Sequence, residues 1–152
     1  MGKEFYLKVL TILLIGISPF IMLITYGELN SISQYWTTPL QPLFIISNTI
    51  TAYLLFEIKN WKKASIFLML LTSFSVVDFG TLHNIFAGLF FFFSLHALWE
   101  TQRLGGYIII YGVAMIILPF SLFWGEVIAI LTLCSYHLHL LIYKNNLLKK
   151  KP

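Results

Sequence analysis

Apolar residues run along this chain in long blocks with short polar interruptions. A helix needs roughly 20 mostly apolar residues to cross a bilayer core, within a range of about 17 to 25. Six blocks approach or reach that length: 5–26, 40–58, 61–79, 82–99, 107–123 and 126–143. The pattern predicts an all-α, polytopic membrane helix bundle. It forms one integral membrane domain over 1–152, with six transmembrane helices. The third block is the weakest, since its strongly apolar centre covers only 64–77. It needs Lys62 and Lys63 to snorkel if it is to span. Pro119 lies late in the fifth block and is expected to kink or end that helix. Backbone groups freed there need protein partners, because lipid supplies none. The first block lacks a small-x-small cleavage pattern and is too long for a signal-peptide core, so it reads as a retained membrane helix.

Composition agrees with this threading. Hydrophobic residues make up 59% of the 152 positions and charged residues only 11%, against about 25% charged in ordinary soluble domains. A soluble chain of this length would leave roughly 30% of its surface in water, with too few polar groups to cover it. The composition excludes a disordered tail, a disulfide scaffold and a typical cytosolic enzyme. The single Cys134 has no internal partner and says nothing about redox compartment.

The net charge of +4 is a matter of topology. Lys3 and Lys8 open the first block, and Lys59, Lys62 and Lys63 separate the second from the third. Arg103 lies between the fourth and fifth, and Lys144, Lys149, Lys150 and Lys151 follow the sixth. All ten cations fall on one side of a six-span threading. The positive-inside rule then puts both termini in the cytoplasm and the chain in the cytoplasmic membrane. A nucleic-acid partner is not expected. The 149–151 run suits anionic headgroups. Trp36 and Trp124 read as outer interfacial anchors, Trp61 and Trp99 as inner ones.

Three acids lie outside, one per outer loop: Glu28, Asp78 and Glu126. The longest loop, 27–39, is polar and reads as a lid, a binding surface, or a solvated connector held to the headgroups by Tyr35 and Trp36. Asp78 and Thr81 can cap the fourth helix, with His83 in its first turn. A carboxylate beside a histidine can fix its tautomer and raise its basicity. Glu28, Ser33, Asp78, His83 and Glu126 are therefore the outer-face binding candidates, and Asp78 with His83 the catalytic ones. The bland alternative is a hydrogen-bonded His83 that pins loop to helix. Gly125 permits a tight turn that leaves Glu126 at a helix N-terminus, where negative charge is favoured. Inside, His96 reaches a depth similar to His137 and His139, so a haem or metal held by His96 with one of the other two is conceivable. His137 and His139 are two apart, point apart on a helix and cannot share a site. The alternative is three interfacial histidines. HExxH, CxxC, GxSxG and GxxxxGK[ST] are absent.

Three segments resemble the DRAM-like group of six-helix membrane proteins and similar bacterial proteins of unknown function. They are SISQYWTTPLQPLF (31–44), LHNIFAGLFF (82–91) and WGE (124–126). The resemblance spans roughly 28–143 and implies an outer face carrying Ser33, His83 and Glu126, with a role in lipid or membrane homeostasis. A second resemblance is to the CREST group of ceramidase-like metal hydrolases, through Ser75, Asp78, His83, His137 and His139. That group has seven helices and a His-x-x-x-His pair, whereas this chain has His-x-His, and the threading puts His83 and His137 near opposite faces.

The leading expectation is a non-enzymatic multi-pass protein that binds membrane lipids or a partner through its outer face, with a homo-oligomer or membrane-protein partner as options. No cofactor is expected. The alternatives are a membrane hydrolase of lipid esters or amides using Asp78 and His83, and a b-type haem protein using His96. Cysteines engineered into 27–39 are predicted to label from outside the cell; labelling only from the cytoplasm would invert the topology.

Overall fold

A computed structural model describes residues 3–101 and 105–149. Every regular element among them is helical. Six α-helices follow in order: α1 (Lys3–Tyr26), α2 (Gln41–Phe56), α3 (Lys62–Ser73), α4 (Gly80–Thr101), α5 (Gly105–Ile117) and α6 (Leu122–Lys149). Two 3-10 helices interrupt them: η1 (Ile32–Thr37) after α1 and η2 (Lys59–Trp61) before α3. Three helices carry stretches long and apolar enough to cross a membrane: Phe5–Tyr26, Gly80–Thr101 and Leu122–Lys144. The outward surface is apolar to match. Leu10, Leu14, Ile17 and Ile24 of α1 and Ile109 and Ile116 of α5 are all exposed.

The helix ends have identifiable causes. Pro42 sits in the first turn of α2, where its missing N–H costs nothing. Pro119 stops α5, which ends at Ile117, earlier than the expected 123. Phe120 and Ser121 both donate backbone N–H groups to the Ile117 carbonyl at 2.9 Å, which satisfies the broken end. α6 then starts at Leu122, so Gly125 and Glu126 lie inside its first turns rather than in a loop before it. α3 is also shorter than expected and ends at Ser73, where Phe74 turns extended. Ser75, not Asp78, shapes the turn that follows: its hydroxyl accepts the Val77 N–H at 3.1 Å. Pro19 lies within α1 and cannot bond the Ile15 carbonyl one turn back. The neighbouring Ser18 hydroxyl donates to that carbonyl at 2.8 Å.

Consecutive helices pack side by side, and α1 also packs against α6, so the six form a closed ring. Small residues set the spacing. Ala52 of α2 and Ala64 of α3 are fully buried, and the Ser65 hydroxyl donates across to the Ala52 carbonyl at 2.7 Å. Ala97, Ala114 and Ala129 are likewise buried on α4, α5 and α6. At one end, Lys8 of α1 bridges Glu57 beyond α2 at 3.2 Å. The Lys8 hydrogen bond holds the Glu57 carboxyl below its ordinary range, helped by a bond from Tyr53 and by the Lys8 charge. Lys62 lies over Phe56 and Lys63 over Phe93, each 5.4 Å from the ring centre. At the other end, Tyr26, Thr38 and Val77 share one groove, so the α1–α2 and α3–α4 connections meet there.

Two expected interface anchors lie inside. Trp61 is fully buried, 4.6 Å from the His137 ring and 5.7 Å from Tyr136. Tyr35, within η1, is also fully buried. Trp99 is exposed. The 90–93 phenylalanine run divides around α4: Phe90 is buried, Phe92 faces out, and Phe93 stacks on Phe67 of α3 at 5.2 Å.

Gly125 marks the tightest approach. A Cβ there would sit 2.7 Å from Leu118 Cδ2 and 3.0 Å from the Leu118 backbone, whereas one at Gly16 would meet Cys134 at an ordinary 3.6 Å. Gly125→Ala is expected to destabilise by about 1–3 kcal/mol and lower the melting temperature in detergent, with Gly16→Ala near neutral. Equal tolerance of both would contradict the α5–α6 junction described.

Candidate functional site

The α1–α2 connection does not lie as an open loop. Gly27, with φ +86°, turns the chain back after α1, and its N–H returns to the Leu23 carbonyl at 2.8 Å. The Tyr35 hydroxyl donates to the Gly27 carbonyl at 2.6 Å, and the ring sets its edge against Phe123 of α6 at 6.5 Å. Burial pushes the Tyr35 phenol above its ordinary range, and the Glu28 charge adds to the shift. Thr38 closes the far side, donating to the Tyr35 carbonyl and accepting the Leu40 N–H. η1 therefore folds over the end of the ring, with Ile32, Ser33 and Tyr35 buried.

The start of a short helix leaves backbone N–H groups without partners. Ser31, at the N-cap of η1, makes no side-chain capping bond. Glu126 of α6 supplies the acceptor. Its Oε2 takes the Ile32 N–H at 2.6 Å, from 94 positions away in sequence, and the carboxylate is buried. Its other oxygen accepts no hydrogen bond among the described residues.

Beneath η1 lies a chamber of about 70 Å³ inside the ring. Glu126 and Ser33 face it, together with Ser18, Ser47, Asn48 and Thr51. The remaining wall is mostly apolar and includes Met22, Phe44, Leu71 and Phe90. No Lys, Arg or His is among the described residues that line it.

Two of the five outer-face candidates thus share one site. Ser33 and Glu126 line the chamber; Glu28 and Asp78 are exposed to the surroundings. His83 is buried in the first turn of α4, and its Nδ1 meets the Phe74 carbonyl at 2.8 Å. A carbonyl only accepts, so Nδ1 carries a hydrogen. Nε2 has no partner. This geometry pins the α3–α4 turn to α4. No hydrogen bond joins His83 to Asp78 among the described residues, so the two do not form a dyad here.

The three remaining histidines have three different neighbours. His96 Nδ1 lies 3.8 Å from Glu100 on the exposed side of α4. His137 packs on Trp61. His139 Nδ1 lies 3.4 Å from the Tyr107 hydroxyl of α5. Among the described residues, no three His, Cys, Asp or Glu side chains are grouped to hold a metal ion.

Ser18, Ser47, Asn48 and Thr51 went unnoticed in the sequence, though a signal was present. Positions 47, 48 and 51 are polar inside an apolar block, at spacings that share one helix face. No known protein family, curated protein or solved structure matches the chain.

Glu126→Ala leaves the Ile32 N–H buried without an acceptor, at a cost of about 1–3 kcal/mol. Amide exchange over 32–38 is expected to accelerate in that variant and to stay slow in Glu126→Gln, whose carbonyl still accepts. Unchanged exchange in Glu126→Ala would contradict the role given to the carboxylate.

Proposed function

We propose that this chain is a six-span membrane protein, with both termini on the cytoplasmic side, that binds an amphiphilic ligand in the chamber beneath η1 without transforming it. One observation carries the reading. A buried carboxylate, a serine on the covering segment and polar side chains of α1 and α2 converge on a space whose other walls are apolar. Binding sites are commonly mostly apolar, with a few convergent polar groups. Ionisable groups inside apolar bundles are costly and mark sites more often than they serve packing. The convergence favours binding over catalysis, since among the described residues no hydrogen bond pairs a nucleophile with a base across the chamber.

α2, α3 and α5 have 16, 12 and 13 residues, or about 24, 18 and 20 Å at ~1.5 Å per residue. These fall short of a bilayer core of about 30 Å, so a locally thinned membrane is part of the proposal. η2 extends α3 at one end and the 74–79 turn extends it at the other. The Lys8–Glu57 bridge joins the start of α1 to the end of α2, as antiparallel spans require. The DRAM-like resemblance points toward lipid, and Ser33 and Glu126 are two of its three matching positions.

Native mass spectrometry of the detergent-purified protein tests this. A one-to-one small-molecule or lipid adduct is expected on the wild-type chain. Ser47→Phe, which fills the chamber, should lose the adduct while keeping its melting temperature. No adduct on the wild type, or the same adduct on both, would overturn the proposal.

A further inference from the structure

Three of the four hydroxyl groups around the chamber have their hydrogens committed elsewhere, and Ser33 is the exception. Ser18 donates to the Ile15 carbonyl at 2.8 Å, Ser47 to Phe44 at 3.1 Å, and Thr51 to Ser47 at 2.7 Å. All three side chains line the chamber. A hydroxyl has one hydrogen and two lone pairs. With the hydrogen held by the helix backbone, what remains to offer the chamber is lone pairs. Glu126 adds a carboxylate with one oxygen uncommitted, and carboxylates accept only. Asn48 is the one side chain on the α2 wall that offers both amide hydrogens and an oxygen. The site is thus rich in acceptors and holds one ionisable carboxyl group. A buried carboxylate needs a counter-charge or a proton, and among the described residues no basic side chain lines the chamber to provide one.

The complement is a group that carries hydrogen-bond donors and one positive charge. An alkali cation meets the charge requirement but not the apolar walls. Phe44, Phe90 and Phe91 offer ring surface, which suits a cation attached to hydrocarbon. A phosphate-bearing headgroup is disfavoured, because its phosphate would face Glu126 with no cation beside it. Size sets a further limit. About 70 Å³ holds on the order of five water-sized groups, which matches an ammonium with a short hydrocarbon body.

We infer that the chamber beneath η1 is a binding site for a small free alkylammonium ion, with Glu126 as counter-charge and the Ser18, Ser47 and Thr51 oxygens as hydrogen-bond acceptors. The inference rests on the chamber being a binding site at all, and it names the class of ligand.

The test uses probes of equal length on the full chain in detergent near neutral pH: butylammonium, 1-butanol, butyrate and sodium chloride. The reporter is intrinsic fluorescence, because Trp36 packs against Phe44 at 5.9 Å and Phe44 lines the chamber. Trp36→Phe identifies its share of the signal. Butylammonium is expected to give a saturable change at millimolar concentration. Its affinity should fall at least tenfold in Glu126→Gln and several-fold in Thr51→Val, which keeps side-chain shape and the backbone helix bond. The other three probes should not saturate. Equal response to butanol or to sodium would overturn the ligand class while leaving the chamber as a site. So would displacement of butylammonium by phosphatidylethanolamine bicelles but not by phosphatidylcholine bicelles. Wild-type affinity in both folded variants would overturn the placement.

Discussion

The hydrogen bond from the Ile32 N–H to Glu126 Oε2 holds the η1 end together. It joins two segments 94 residues apart and places a carboxylate where packing alone would favour carbon. Without it, η1 has an uncapped start, and the polar 27–40 segment has reason to stay in water. With it, Ile32 and Tyr35 enter an apolar cluster with Met22, Phe44, Phe123 and Val127. The bond is strong for the usual reason: a charge-capable acceptor meets an amide away from competing water. Its position also leaves a second carboxylate oxygen for the space below.

The rest of the ring obeys the same rule of polar satisfaction in apolar surroundings. Pro19 removes one backbone donor from α1, and Ser18 supplies another to the stranded carbonyl. Thr72 and Thr132 turn their hydroxyls onto their own helices at 2.7 Å. Ser65 instead reaches across to α2, where two alanines let the backbones approach. These choices make the helices compatible with a lipid exterior. Around the chamber, they also turn hydroxyl oxygens into acceptors.

Much of this was legible in the sequence, and the failures have physical causes. Six apolar blocks became six helices because block length is a strong signal. Helix ends were less legible, and the two doubtful places, near Asp78 and Pro119, are where α3 and α5 stop early. Tyr35 and Trp61 read as interface anchors, since aromatic residues with polar tips favour that zone; their burial depends on contacts with Phe123, Tyr136 and His137, which are remote in sequence. Ser33 and Glu126 were both singled out, but nothing in the chain linked them, because η1 forms only when α6 is beside it. Asp78 and His83 are five positions apart and looked like a pair. Phe74 took the imidazole hydrogen instead, because the α3–α4 turn brings its carbonyl back over α4.

The direct test of the buried bond is a distance. With 15N-isoleucine and 13Cδ-glutamate labels, dipolar-recoupling solid-state NMR in bilayers isolates the Ile32 amide beside a glutamate carboxyl. A strong coupling that corresponds to the 2.6 Å N···O bond, lost in Glu126→Ala, is the expected result. No coupling above background would mean that the loop lies free of α6, with no chamber beneath it.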